Sequence, residues 1–320
     1  ELVSGVTDER FARHSHWLSA ATAFNIKEYL RLQASVLMTQ IINQKSEIKN
    51  SPKVTPGLFM SFCPYPAIDL SINAFYKQSY RYPTFNDLYY TDLGNANLRP
   101  ELARQHSVEL AYQISNHKST ITNACGYEIA AAVSYYYNRV TDKIIAYPKG
   151  QQFRWTMLNL GTVKINGVDA HADMSFYLPL RFVLRTRLNY TYQTAIDVTN
   201  TGDSYYGHQI PYIPWHSGSG VLGLEWQSKR GDRYGLNYSF VYVGERYCQQ
   251  ENIVYNYVQP WYTHDVSLYG EWQLRANQDK QPIWLKANVE INNLLGQDFE
   301  VIQNYPMPKQ NVRCTIALRY

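Results

Sequence analysis

The chain has 320 residues and a net charge of +4; 45% of its residues are hydrophobic, 18% are charged and 29 are tyrosine. No run approaches the eighteen or so apolar residues of a membrane-spanning helix, and mean hydropathy is −0.41, which excludes a helical membrane protein. The basic residues are too dispersed for a nucleic-acid groove, so no nucleic-acid partner is implied.

The opening stretch, ELVSGVTDER, has no basic region followed by an apolar core. A signal peptide has therefore been removed or the N-terminus lies elsewhere. Strands then follow in chain order. Alternation with a period of two predicts them at 15–26, 28–41, 54–63, 67–79, 104–115, 126–147, 152–178, 180–197, 215–227, 232–244, 259–274, 282–293 and 311–320. In DLSINAFYKQSY, Leu70, Ile72, Ala74, Tyr76 and Tyr80 share one face. In RFVLRTRLNYTY, Phe182, Leu184, Leu188, Tyr190 and Tyr192 oppose Arg181, Arg185, Arg187 and Asn189. IWLKANVEIN sets Ile283, Leu285, Ala287, Val289 and Ile291 against Lys286, Asn288, Glu290 and Asn292. The terminal NVRCTIALRY sets Val312, Cys314, Ile316 and Leu318 against Arg313 and Arg319.

The connections alternate as well. NIKE, CPYPA, YLPLR and QSKRGD are tight, whereas the links near 42–53, 80–103, 197–214, 245–258 and 294–310 are long and rich in Tyr, Asn and Pro. Long strands with short turns on one rim and long loops on the other are the pattern of an all-β transmembrane antiparallel barrel. A soluble antiparallel sandwich alternates too. Against it stand Tyr76, Tyr135, Tyr190, Tyr234 and Tyr242 near strand ends, where membrane interfaces favour aromatic residues. Arginines and glutamates along the opposite faces suit a wet or plugged lumen, so Arg185, Arg187, Lys286, Glu290, Arg313 and Arg319 are the expected lumenal, plug-facing set. Single-chain bacterial barrels have even strand numbers, so a count of thirteen implies either a miscount or the C-terminal part of a larger barrel.

Cys63, Cys125, Cys248 and Cys314 form no CxxC pair, which argues against structural zinc. Cys314 reads as a small hydrophobe on its strand, and a disulfide among the other three stays open. The eight histidines are scattered; His14-x-His16 offers two metal ligands without a third, and neither GxSxG nor HExxH occurs. No catalytic, metal or cofactor site is expected, so an enzyme is a weaker alternative. A passive porin is another.

Four motifs then point to one family. The stretch YRYPTFNDLYYTDLGNANLRPEL at 80–103 resembles the FRxPT-like start and GNxNLxPE exit of TonB-dependent outer-membrane receptors. NLGTVKINGVDA at 159–170 is similar to their N-x-G-x-x-x-I-x-G-V-E strand, with Asp169 in place of the usual Glu. QIPYIPWHSGSG at 209–220 is similar to their return from a late loop, and INNLLGQDFEVIQNYPMPKQ at 291–310 to their NLF-x-x-x-YE…YPMPGR loop. Leu295 replaces the Phe and Lys309-Gln310 the Gly-Arg, so a different loop tip is expected. Tyr320 matches the aromatic end such barrels present to the assembly machinery.

The resemblance implies that residues 1–320 are about thirteen C-terminal strands of a 22-stranded plugged barrel in the cell outer membrane. It implies an N-terminal plug and first strands outside this sequence, in the same or a separate chain. Its further partners are the TonB-ExbB-ExbD complex acting through the plug, outer-membrane lipid, and room for a substrate-capturing surface lipoprotein. The implied function is import of a scarce nutrient. The haem branch carries an axial His between its FRAP and NPNL motifs, and no His occurs from 80 to 98. YPTFNDLYYTDLGN is most similar to cobalamin-type receptors of the Bacteroidetes kind, with a ferric siderophore or haem receptor as the alternative. Tyr89, Tyr90, Tyr205, Tyr206, Tyr212, Trp215, Tyr255, Tyr257 and Tyr305 are the expected ligand-binding residues, because amphipathic rings pack on a large corrinoid while their polar ends bind its amides. Within 80–103 the glycine and asparagines are expected chiefly to shape the loop.

Overall fold

The alternating segments form strands that run in chain order through one sheet. The computed structural model describes residues 12–43, 52–65, 68–116, 125–149, 154–277 and 280–319. Its elements are β1 Arg13–Ile26, β2 Leu30–Asn43, β3 Lys53–Tyr65, β4 Leu70–Arg81, α1 Phe85–Tyr89, β5 Glu101–Asn116, β6 Gly126–Thr141, β7 Ile144–Lys149, β8 Arg154–Asn159, β9 Thr162–Leu178 and β10 Phe182–Asp197. They continue with β11 His216–Gln227, β12 Arg233–Val243, β13 Arg246–Tyr247, β14 Tyr257–Val258, β15 Trp261–Asn277, β16 Lys280–Asn292, β17 Glu300–Ile302, β18 Tyr305–Pro306 and β19 Asn311–Arg319.

Thirteen strands make a single antiparallel sheet in the order β1-β2-β3-β4-β5-β6-β9-β10-β11-β12-β15-β16-β19, and the remaining six pair as β7-β8, β13-β14 and β17-β18 ribbons. The sheet's strands are nine to seventeen residues long, well beyond the usual five or six.

Register carries the alternation across the sheet, so one face is apolar over most of its height. Val108 lies opposite Tyr135 and Leu110 opposite Val133. Leu224, Leu236, Leu268 and Val289 follow one another across four strands. Leu268 is 61% and Ile316 78% exposed. A soluble sandwich would bury this face; a continuous apolar surface of this extent suits a lipid surround.

Two aromatic rows bound it. Near the short turns, Trp226 stacks on Tyr234 at 5.6 Å and the Trp272 indole N–H donates to the Tyr234 hydroxyl at 3.0 Å. Near the long loops, Tyr76 meets His106 at 4.9 Å, Tyr192 meets His216 at 4.9 Å and Tyr238 stacks on His264 at 5.8 Å. From Tyr234 to Tyr242 is roughly 27 Å at about 3.4 Å per residue, or about 20 Å across a bilayer for a tilted strand, close to the apolar height of outer-membrane barrels.

The opposite face is polar and internally matched. Arg187 meets Asp173 at 2.5 Å, Arg185 meets Glu225 at 3.3 Å, Arg233 meets Glu271 at 2.6 Å, and Arg313 pairs with Glu290. The Tyr269 hydroxyl donates to Glu225 at 2.7 Å, and Lys286 Nζ sits 5.3 Å from the Tyr269 ring. Arg319, opposite Trp284, shares the face with Arg313. The Tyr136 ring lies close over Gly167, its tip 2.3 Å from where a Cβ would stand.

The rim asymmetry follows the sequence where it is described, with one correction. The runs at 126–147 and 152–178 are not single strands. Pairing in the sheet stops at Thr141 with Thr162, and a separate ribbon resumes at Ile144 with Asn159. Asp142 and Gly161 take positive φ of 53° and 72°. The Asn159 amide donates to Asp142 O at 2.7 Å and Leu160 N–H to Lys143 O at 2.7 Å, which locks the kink. Residues 142–149 and 154–161 thus belong to a further excursion on the long-loop rim. Parts of the predicted links at 42–53 and in CPYPA, and the whole of Tyr320, lie outside the described residues.

Candidate functional site

The driest packing lies in the long loops and the strand ends beneath them. Leu88 and Leu98 pack on Ile144 and Met157, and Leu160, Val163, Ala195 and Ile210 form a second cluster.

The first unit joins loop 82–100 to the β7-β8 ribbon. Thr84 caps α1 by accepting from Asp87 N–H at 3.1 Å, while Asp87 accepts from Thr84 N–H at 2.9 Å, which satisfies two orphan donors reciprocally. Arg81 bridges Asp87 at 3.2 Å and Glu101 at 3.6 Å. Gly94 has backbone atoms of Tyr89 and Tyr90 at 2.7 Å from where a Cβ would stand, so only glycine closes this turn. The Asn95 amide donates to Met157 O at 3.0 Å and Met157 N–H to Leu93 O at 2.9 Å. Asn159 holds Arg99, accepting its N–H at 2.8 Å and donating to its carbonyl at 3.0 Å. Within the motif, Gly94 closes the turn and Asn95 ties it to the ribbon.

The second unit centres on Gln209, which is 0% exposed. Its side-chain oxygen accepts from Ala195 N–H at 2.7 Å and its amide donates to Ile213 O at 3.2 Å. Asn252 of loop 244–260 bonds both backbone groups of Gln209. The Tyr147 hydroxyl donates to Gln249 at 3.2 Å, and Trp155 lies 6.0 Å from Tyr212. Burial raises the pKa of both Tyr147 and Tyr212.

Arg246 ties the third pair of loops together. It is 2% exposed, and its guanidinium donates to Gln259 O at 3.1 Å, Glu300 O at 2.6 Å and Val301 O at 3.2 Å. Desolvation by burial lowers its pKa from the ordinary arginine value. Asn293, also buried, donates its N–H to Asp265 at 2.7 Å and its amide to Gln297 O at 2.8 Å. The altered tip of this loop is closed by Lys309 on Asp298 at 2.9 Å and by Gln310 donating to Leu294 O at 3.1 Å.

The nine expected ligand residues divide by exposure. Tyr90, Tyr206, Tyr255 and Tyr305 are exposed, with Tyr255 at 89%. Tyr89, Tyr205, Tyr212, Trp215 and Tyr257 are half-buried. Tyr212, at φ 60°, donates its N–H to Tyr247 O at 2.7 Å, and Tyr257 meets Tyr247 edge-on at 6.0 Å and Glu245 at 3.4 Å. Trp215 O accepts from Gln193 N–H at 2.9 Å. A rim groove of about 590 Å³, lined by Lys53, Tyr80, Asn97, Arg99 and Asp142 among others, includes none of the nine. Tyr147, Trp155, Gln209 and Arg246 were not singled out by the sequence; their roles depend on partners many residues away. His106 stands on the apolar face between Tyr76 and Tyr137, as its position in β5 predicts.

Residues 8–294 match the family described as TonB dependent receptor-like, beta-barrel. A stretch of 93 residues, 29% of this chain and 13% of the relative, is 30% identical to the vitamin B12 transporter BtuB of Vibrio vulnificus. The FrpB iron transporter from Neisseria meningitidis superposes with a TM-score of 0.59 at 13% identity, covering 97% of this chain and 46% of that one. P. aeruginosa FpvA bound to heterologous pyoverdines gives 0.62 at 14% identity over 98% and 39%. The chain thus spans less than half the length of these solved structures. Barrels of the matched family are outer-membrane proteins, and this chain, with its thirteen-stranded antiparallel sheet, belongs to the TonB-dependent receptors.

Proposed function

We propose that this chain supplies wall and mouth to a receptor that captures cobalamin or a related corrinoid and passes it to the periplasm. The observation that carries the reading is the 30% identity with a vitamin B12 transporter. The loops suit such a ligand: three excursions, 198–215, 244–260 and 293–310, cross-braced by Gln209, Asn252 and Arg246 leave Tyr206, Tyr255 and Tyr305 exposed on a stiff support. Amphipathic rings on a pre-organised frame bind a large polar-edged ligand with little ordering cost. The family consists of receptors and transporters rather than enzymes.

A ferric siderophore is the second reading, suggested by the iron transporter and the pyoverdine complex among the structural neighbours. At their identities, those likenesses speak for the fold alone.

In this reading the remaining strands and a plug come from sequence beyond this chain, in the same polypeptide or another. The plug rests against the face bearing Arg185, Arg187, Lys286, Glu290, Arg313 and Arg319, and TonB, driven by ExbB-ExbD, pulls on it once substrate has docked. Purified complete receptor should bind cyanocobalamin in preference to haemin or a ferric siderophore, and the paired changes Tyr205→Ala and Tyr206→Ala should weaken binding. Binding of the siderophore alone would reject the corrinoid branch. Ion conductance without a plug would favour a porin. A closed, heat-modifiable barrel from residues 1–320 alone would reject the shared wall.

A further inference from the structure

On the apolar face, just beyond the aromatic row at the long-loop end, three cations lie side by side. Arg104 of β5 is directly opposite Arg139 of β6, which is directly opposite Lys164 of β9. Their side shares the parity of His106, Val108 and Leu110 in β5 and of Tyr137, Tyr135 and Val133 in β6. Adjacent strands are about 4.8 Å apart, so the row spans roughly 10 Å. Like charges placed directly opposite one another destabilise a sheet, yet among the described residues none of the three has an ion pair. On the other face, Arg185, Arg187, Arg233 and Arg313 each meet a carboxylate. With no carboxylate beside it among the described residues, the outward row is open to anions from its surroundings.

Beside the row, the same face offers a second feature. An open apolar groove of about 740 Å³ runs across β1 to β6, lined by Leu58, Met60, Ala74, Tyr76, His106 and Val108 among others. Cations above and an apolar trough below match an amphipathic ligand with its charges up and its chains down. A free anion has no use for the trough. In an outer-membrane wall the row stands where lipid headgroups lie, and a guanidinium fork fits phosphate oxygens two at a time. We propose that Arg104, Arg139 and Lys164 form a binding site for the phosphates of an outer-leaflet lipid whose acyl chains lie in the adjoining groove. This rests on the membrane location and is independent of which nutrient is imported.

The test uses complete, delipidated receptor in phosphatidylcholine nanodiscs carrying either a bisphosphorylated glucosamine-disaccharide lipid or its dephosphorylated form, with retained lipid counted by native mass spectrometry. The phosphorylated lipid should be retained at least about tenfold better. The triple variant Arg104→Gln, Arg139→Gln and Lys164→Gln should lose that preference, whereas Arg104→Lys with Arg139→Lys should keep most of it. Equal retention of the two lipids, or an unchanged preference in the glutamine variant, would overturn the site. Complete displacement by inorganic phosphate would overturn the lipid assignment. Should the glutamine variant not fold, the comparison of lipids on the wild type and the lysine variant still decides.

Discussion

Gln209 and Asn252 grip each other's loops through the backbone: Gln209 N–H donates to Asn252 Oδ1 at 2.7 Å, and the Asn252 amide donates back to Gln209 O at 3.0 Å. Because Gln209 is wholly buried, truncating its partner leaves a donor and an acceptor without water to replace them. Asn252→Ala should therefore cost about 1–3 kcal/mol. The cost should fall on loops 198–215 and 244–260, whose proteolysis should quicken while the heat-modifiable migration of the complete barrel is unchanged. Equal loop protection in the variant would mean the clasp is incidental.

Arg246 is a charged tether whose acceptors are carbonyls of loops 244–260 and 293–310. Arg246→Met keeps the volume of the stem but strands the carbonyls of Glu300 and Val301. A spin-label pair across these two loops should report a broadened distance distribution, and Arg246→Lys should restore it only in part, since an ammonium lacks the planar fork. An unchanged distribution in the methionine variant would show that packing alone, such as Trp261 on Phe299 at 4.5 Å, sets the spacing.

Most of the sheet was legible because one face meets apolar surroundings, which imposes a period of two on every strand. The excursion at 142–161 was hidden for the same reason. Alternation continues through Ile144 and Ala146 after pairing has left the main sheet, and the break depends on φ at Asp142 and Gly161, which a hydropathy pattern does not register. Arg246 was invisible because two of the carbonyls it holds, those of Glu300 and Val301, lie more than fifty residues away. Tyr212 was legible as a loop aromatic, yet its ring is engaged by Trp155 from a ribbon that the pattern had merged into strands.

The two faces should respond oppositely to charge. Leu188→Arg or Ile316→Arg places a guanidinium on the apolar face and should impair insertion by roughly 2–4 kcal/mol near the midplane. Arg187→Leu gives up only an exposed pair with Asp173, worth about 0–1 kcal/mol. Reversible unfolding of the complete receptor in lipid vesicles would measure both, and equal tolerance would contradict a lipid-facing assignment.

Orientation follows from the rims. In a background with the four native cysteines replaced, labels at Asn200 or Gln303, in long loops, should react with an impermeant reagent on intact cells. Labels at Asn116 or Lys229, at the short-turn rim, should react only after the outer membrane is permeabilised. The reverse result would invert the barrel.

The mouth should loosen in alkali before the wall does. Tyr147, Tyr212 and Tyr257 are raised above 10.0 mainly by burial, and Tyr205 mainly by its hydrogen bond with Asp203. A raised folded-state value means the folded loops hold the phenolic proton more tightly than the unfolded ones. The associated stability is complete below pH 10, and it drains away as pH rises through the folded-state values. Loop cleavage, normalised to an unstructured reference peptide at each pH, should therefore stay level up to about pH 10 and accelerate above it, and Tyr147→Phe with Tyr212→Phe should flatten part of that rise because phenylalanine has no proton to lose. A rise of the same size in the double variant would remove these two phenols as its source.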